Sequence, residues 1–376
     1  MKIYYIANAR MPTEKAHGIQ IAKMCEAFIE AGTDLTLVVP RRATERLSVQ
    51  EYYGLRVPVP LICLPAIDWY TGGRVGYAMS SLSFMLSYSL FVFRRKMAGE
   101  KCILYTVDLD NYSSSVLAFL GRPLFSEMHG AKPSTIPQRM LFNRASGIIA
   151  INKIIAEELR KSFPRSSASY LVEPNGVDPL MFAPRNMSEA RAKLGLPQGV
   201  PTVLYAGRFF AWKGLEIIPQ AAVLTPEVRF QMVGGAQETF SALVKEALPA
   251  NMQFAGDRPH GEMPLWIASA NAVLVLGTKR DTQSYYYTSP MKLFEYLLSE
   301  RAIVASDTPA IREIVGDEEA IFYRPDDAKD LADNIRSAVS PSADMQKKII
   351  TARRKGESFS WQGRALRIIR FMEQNA

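Results

Sequence analysis

Two short stretches bring cations and glycine to places where an anion can be held. In "YAGRFFAWKG" (205–214), Gly207, Arg208, Lys213 and Gly214 fill the connection between an apolar run and a helical pattern. Glycine lets the backbone approach a ligand, Arg208 offers a bidentate fork and Lys213 a point charge, a set suited to a diphosphate. Strand-to-helix turns also carry solvated basic residues, so this stretch alone leaves both readings open. In "TSPMKLFEYLLSERAIVASDTPAIREIV" (288–315), a helix is expected to open after Thr288, Ser289 and Pro290, with Met291 and Lys292 in its first turn. A lysine there opposes the helix dipole unless an anion is bound. Glu295 follows on the same face and can accept hydrogen bonds from vicinal hydroxyls such as a ribose pair. Diphosphate and ribose together suggest a nucleotide.

The elements that must position these loops alternate regularly. "KIYYIAN" reads as a strand, "IQIAKMCEAFIEAG" as a helix ended by Gly32, and "DLTLVVP" as a second strand. "CILYTV", "RPLFSEM" and "GIIAI" continue the strands, and "NKIIAEELRKSF" forms a helix, so a parallel α/β domain is expected. The alternation breaks at "LVEPNGVDPLMF" (171–182), where turn residues mark a domain boundary. It resumes through "TVLYAG", "VRFQMVGG", "MQFAG", "NAVLVLG", "RAIVASD" and "AIFYRP", a second parallel α/β domain. The final stretch "FSWQGRALRIIRFMEQ" sets Leu366, Ile369 and Phe371 beside arginines and predicts an amphipathic terminal helix that packs back across the junction.

The chain's 376 residues, 48% hydrophobic and 22% charged, exceed one ordinary domain and argue against disorder. Cys25, Cys63 and Cys102 show neither metal-ligand spacing nor a disulfide framework, which fits a reducing compartment. The N-terminus reads as a first strand and not as a signal peptide, so the mature chain is expected to begin there. The net charge of +8 is uneven: residues 1–176 hold 21 Lys and Arg against 14 Asp and Glu, the remainder 24 against 23. Residues 75–93 carry no charge, but five serines interrupt them. Leu82, Met85, Leu86, Leu90 and Phe93 recur at helical spacing, which predicts a buried or interfacial helix and not a membrane span. The adjoining "RRKMAGEK" can lean on an anionic membrane, although a solvated basic face explains it equally well.

Taken together, "YAGRFFAWKG", "SPMKLFEYLLSERAIVASDTPAIREIV", "VEPNGVD", "FSEMHG" and "MPTEKAHGIQIAKMCEAFIEAG" resemble the retaining glycosyltransferases of family 4, over nearly the whole chain. The resemblance implies the GT-B fold, two Rossmann-like domains facing each other across a cleft. Residues 1–176 would form the acceptor-side domain, 357–376 would cross back onto it, and 177–356 would bind the nucleotide sugar. Arg208 and Lys213 would hold the donor diphosphate and stabilise the leaving group, while Gly207, Ser289, Pro290, Met291 and Lys292 would line its site. Glu295 would bind the ribose, Arg258 and Pro259 would border the base, Gly18 would let backbone reach phosphate or sugar, and His129 would meet the transferred sugar. By its residue type alone, His129 serves equally as a hydrogen-bonded structural histidine. His17 beside Gly18 is a weaker candidate, and His260 has no comparable support.

Many relatives place a glutamate eight residues before the ribose glutamate; Tyr287 stands there in this chain. Either the backbone of residues 289–291 positions the sugar instead, or the donor chemistry differs. Tyr285, Tyr286 and Tyr287 can wall a sugar site or pack against the core. Asp108, Asp110 and Glu127 end N-terminal strands and could face the acceptor, although a carboxylate there usually caps a helix or is solvated. The resemblance implies hexose transfer with retention, through an oxocarbenium-like transition state without a protein nucleophile, in bacterial-type surface polysaccharide synthesis. No cofactor or metal is expected beyond the nucleoside diphosphate sugar, and the acceptor would be a glycan or lipid-linked saccharide. The expected place is the cytoplasm, peripheral at the inner face of a membrane. A GT-B epimerase or hydrolase would share the diphosphate site, and a non-catalytic scaffold is the other alternative. Nucleic-acid binding lacks a recognition module.

Overall fold

Short aliphatic runs that are apolar at every position, and not at alternate ones, need cover on both faces, which a parallel sheet between helix layers supplies. The computed structural model describes residues 1–42, 47–121 and 123–376. Arg122, the first residue of the expected strand "RPLFSEM", lies outside them. The described chain divides into two compact units, Met1–Pro174 with Trp361–Ala376, and Asn175–Ser360.

The first unit runs β1 (Lys2–Ile6), α1 (Ala16–Glu30), β2 (Asp34–Pro40), α2 (Val49–Tyr53), β3 (Leu61–Leu64), α3 (Gly73–Met97), β4 (Ile103–Val107), β5 (Leu124–Met128), α4 (Ile136–Arg144), β6 (Gly147–Ala150), α5 (Lys153–Ser162) and β7 (Ser169–Val172). Its seven strands are ordered β3-β2-β1-β4-β5-β6-β7 and pair in parallel, so the order reverses between β1 and β4.

The second unit runs α6 (Met187–Leu194), β8 (Thr202–Ala206), α7 (Ile217–Leu224), β9 (Arg229–Val233), α8 (Gln237–Val244), β10 (Met252–Phe254), α9 (Met263–Ala268), β11 (Ala272–Val275), α10 (Met291–Leu298), β12 (Ala302–Ser306), α11 (Pro309–Arg312), β13 (Ile321–Tyr323), α12 (Ala328–Val339) and α13 (Ala343–Glu357). Its sheet, β10-β9-β8-β11-β12-β13, is also parallel and reverses between β8 and β11. Along β8, Val203 and Tyr205 enter one apolar cluster while Leu204 and Ala206 enter the other, one on each face. Both units are Rossmann-like, and the fold class is GT-B. The last helix, α14 (Trp361–Asn375), belongs to the first unit.

Helix α3 turns a different face inward from the one its pattern predicts, and α14 buries an arginine among its apolar residues. On α14 the buried residues are Trp361, Arg364, Ala365, Ile368 and Met372, whereas Leu366 is exposed. Arg364 belongs inside because it meets the buried Glu127 carboxylate at 2.8 Å. On α3, of the five residues forming the expected buried stripe, only Met85 is buried; Leu82, Leu86, Leu90 and Phe93 lie in solvent. The inward face is small and polar at one end, with Gly76, Ser80 and Ser81, and carries Phe84, Tyr88 and Val92 toward the other. Serine can face inward here because partners are at hand: Ser81 Oγ accepts from Asn8 Nδ2 at 3.0 Å, and Ser80 Oγ from the Trp69 amide at 2.9 Å.

Candidate active site

In the second unit, the loops after β8 and β11 flank the point where strand order reverses, the place where open α/β sheets leave a crevice beyond their carboxyl ends. Gly207 closes β8 with φ of 138°. Gly234, after β9, has no room for a side chain, since a Cβ there would lie 2.7 Å from the Gly207 carbonyl. The two loops are therefore packed backbone to backbone.

Over this glycine floor the cations converge. A Cβ on Gly207 would find Lys213 Nζ at 3.6 Å and Lys292 Nζ at 3.9 Å. Lys213 Nζ donates to the Arg208 carbonyl at 2.9 Å, and Lys292 Nζ sits 3.8 Å from the centre of the buried Tyr205 ring. Among the described residues, no carboxylate forms an ion pair with Arg208, Lys213 or Lys292. Burial, then the Arg208 charge, lowers Lys213 to about 8. Burial, then Lys213, holds Lys292 well below the usual lysine range. Two lysines of like charge are thus gathered beside bare backbone, an arrangement able to hold an anion.

Helix α10 begins where the sequence predicts, but without the expected side-chain cap: Pro290 is the N-cap and no side chain bonds the first turn. Ser289 Oγ is buried without a partner, while its carbonyl accepts from Asn175 Nδ2 at 2.8 Å. The Leu293 amide bonds the Pro290 carbonyl at 2.9 Å, and the amides of Met291 and Lys292 keep their donors. Farther along α10, Glu295 Oε1 shares a 2.7 Å hydrogen bond with His260 Nε2, and Phe182 packs against that imidazole. His260 had no support in the sequence, yet it fixes the carboxylate expected to meet ribose. Arg258 bonds the Ala255 carbonyl at 3.0 Å and lies over Trp266. Gln283–Tyr287 forms a single π-helical turn in the loop between β11 and α10, with Tyr285 and Tyr286 edge to face.

The first unit carries a second polar centre. Glu127 at the end of β5 is fully buried and accepts from Tyr105 Oη, Gln20 Nε2, His129 Nε2 and Arg364. Burial works to raise its pKa, but the Arg364 charge and the His129 hydrogen bond hold it well below the carboxylate range. Glu127 is therefore neither a cap nor a solvated group. His129 stands half-buried on that carboxylate, with the ring nitrogen not engaged by Glu127 left for another contact. Asp108, raised to about 6 by burial against the pull of Lys132, pairs with that lysine at 2.6 Å. Asp110 caps the following turn through the Tyr112 and Ser113 amides. His17 is lowered to about 4 by burial and by neighbouring Lys15 and His129, hence neutral at pH 7.

Gly18 has a packing cause. It is buried in the first turn of α1, where a Cβ would fall 2.3 Å from Tyr53 Oη and 2.5 Å from Thr13 Cγ2. Among the described residues, no group of three His, Cys, Asp or Glu side chains is placed to hold a metal ion.

Residues 186–356 match the family model described as glycosyl transferases group 1. That matched segment, just under half of the chain, contains every cation of the convergent cluster. It is 24% identical over 250 residues to a D-inositol 3-phosphate glycosyltransferase of Nocardioides sp., covering 60% of this chain and 53% of that relative. The match spans only about half the relative's length. Among solved structures, sucrose-phosphate synthase from Thermosynechococcus elongatus superposes with a TM-score of 0.80 at 19% identity, over 99% of this chain and 98% of that one. Anabaena HepE, crystallised with UDP and glucose, gives 0.72 at 17% over the full length of both.

Proposed function

We propose that this chain is a retaining, family 4 glycosyltransferase that moves a hexose from a nucleoside diphosphate sugar to a glycan or lipid-linked saccharide in surface polysaccharide synthesis. One observation carries the reading: two partly desolvated ammonium groups converge on a glycine floor and, among the described residues, neither forms an ion pair with a carboxylate. A diphosphate supplies the missing charge. Arg208 and Lys213 take the diphosphate, the Lys292 ammonium and the backbone of Ser289, Pro290 and Met291, with the Met291 and Lys292 amides as donors, complete its cradle, and Gly207 admits it to the backbone. Glu295, held by His260, accepts from the ribose hydroxyls; Arg258 borders the base. His129, steadied by Glu127, meets the transferred hexose, and Gly18 keeps the first turn of α1 close to Thr13 beside that sugar.

When the anomeric bond breaks, negative charge grows on the departing diphosphate, and the cations already stand where it develops. The acceptor hydroxyl enters on the same face and passes its proton to the leaving phosphate oxygen, so configuration is retained and no protein nucleophile is used. The residues need no metal for this role. A nucleotide sugar donor also agrees with HepE, which binds UDP.

Arg208→Ala and Lys213→Ala should each raise the transition-state barrier by about 2–4 kcal/mol, the effect of losing one preorganised oxyanion donor. Steady-state kinetics with a matched donor and acceptor reads this directly; unchanged kcat/KM in either variant removes the clamp. Epimer or free sugar released from donor alone, at the rate of transfer, would assign an epimerase or hydrolase instead.

A further inference from the structure

Helix α3 is the longest in the first unit, and among the described residues nothing covers its outer face. Val75, Met79, Leu82, Leu86, Leu90 and Phe93 are between 46% and 74% exposed. At 100° per residue they fall within an arc of about 80°, a single straight stripe. Met97 extends it by one turn. Beside its start, the loop preceding α3 adds Trp69 and Ile67, both about half exposed. That loop is fixed in place: Ser80 Oγ accepts from the Trp69 amide and Ser83 Oγ from the Ile67 amide at 2.8 Å. An exposed apolar surface of this extent on a folded unit marks an interaction site.

Charge selects the occupant. From Trp69 to Gly99 the chain contains no Asp or Glu, while Arg74, Arg94, Arg95 and Lys96 flank the stripe. Arg94 and Arg95 are exposed, and Arg94 has no acidic partner among the described residues. Two copies packed stripe to stripe would bring four cations of each copy, Arg74, Arg94, Arg95 and Lys96, together with only Asp68 and Glu100, which already pairs with Arg95 at 3.8 Å, as nearby acids. An anionic bilayer matches the pattern: acyl chains take the stripe, headgroup phosphates take the arginines, and Trp69 suits the boundary between them.

The helix lies on such a surface and does not cross it. Its 25 residues are long enough to span, but the inner face is built into the unit through Phe84, Tyr88 and Val92, and Tyr88 Oη donates to the Ser113 carbonyl at 2.7 Å. Crossing would extract that face from the core. We infer that α3 is an interfacial docking helix that seats the first unit on anionic phospholipid, with the stripe at the level of the acyl chains. This deepens the proposed function by giving a lipid-linked acceptor its surface, and it rests on that reading only for its purpose.

Flotation of the full chain with liposomes tests it. Vesicles of phosphatidylcholine containing 30% phosphatidylglycerol should capture the protein at low salt, capture should fall at least tenfold at 0.5 M salt, and pure phosphatidylcholine should capture little. Leu86→Glu and Phe93→Glu, both at exposed positions, should abolish capture. Arg94→Glu should weaken it several-fold with an unchanged melting temperature. Equal capture by neutral vesicles, no capture by anionic ones, or capture indifferent to Leu86→Glu overturns the inference. So does a concentration-dependent dimer that Leu86→Glu dissociates, which would give the stripe to a second copy. Nucleotide-induced thermal shifts, measured on the same variants, report the donor site separately, so either reading can fail alone.

Discussion

Lys213 and Lys292 are held partly desolvated near one another, which disfavours their charged forms until an anion arrives. With Lys213 near 8 in the free protein and Lys292 displaced the same way, a bound diphosphate must raise both, so binding takes up protons. Below about pH 8 Lys213 is already charged; above it, protons must be supplied. UDP affinity should therefore fall as pH rises through 8 and beyond, with calorimetry in buffers of different ionisation enthalpy showing net uptake. Affinity flat from pH 7 to 9.5 would contradict this. The same shift has a sign for stability: between about 8 and 10.5 the unfolded chain binds more protons than the folded one, so this group's contribution improves as pH rises, and its cost is fully present below 8. Lys213→Met should accordingly stabilise the ligand-free protein at pH 7 by about 1–3 kcal/mol in denaturant unfolding, while abolishing nucleotide binding. The convergence of Lys213 and Lys292 on Gly207 was legible in the sequence, because residue type and local spacing carry it. His260 and Asn175 were not, since their partners, Glu295 and Ser289, lie 35 and 114 residues away. Gly18 was legible as a required glycine, but its immediate cause is contact with Tyr53.

At the scale of elements, α14 shows how one buried pair fixes a helix. Arg364 bonds Glu127 and also the carbonyls of Pro174 and Glu173, so it ties the returning helix to the ends of β5 and β7. Arg364→Met would leave Glu127 buried without its countercharge, and should cost about 3–5 kcal/mol in chemical denaturation. Adding Glu127→Gln should recover part of that loss, whereas strict additivity of the two changes would contradict direct coupling. Periodicity located both α14 and α3, but the leucine stripe it found on α3 faces outward, and it gave no sign that Arg364 of α14 is buried. A stripe of leucines reads as core unless serines opposite it can find hydrogen-bond partners, and those partners come from distant segments. The edge strands β3 and β7 escaped notice for a related reason: four residues each and largely part-exposed, they lack the continuous apolar run of central strands.

Across the whole molecule, chemistry and charge are divided between the units. The second unit holds the converging lysines and the family match, whereas the first holds the basic excess, the Glu127–His129 centre and the apolar outer face of α3. The alternation of strands and helices made both parallel sheets readable, because a parallel sheet leaves its pattern in every strand it buries on two faces. The central claim is that the cation cluster is a nucleoside diphosphate site, and thermal unfolding of the full chain with UDP, GDP, ADP and their sugars measures it most directly. At about 100 times its Kd the matching nucleotide should add roughly 2.7 kcal/mol of stability, an increment absent in Lys213→Met. No shift with any nucleoside diphosphate, or a full shift surviving in Lys213→Met, would contradict the account.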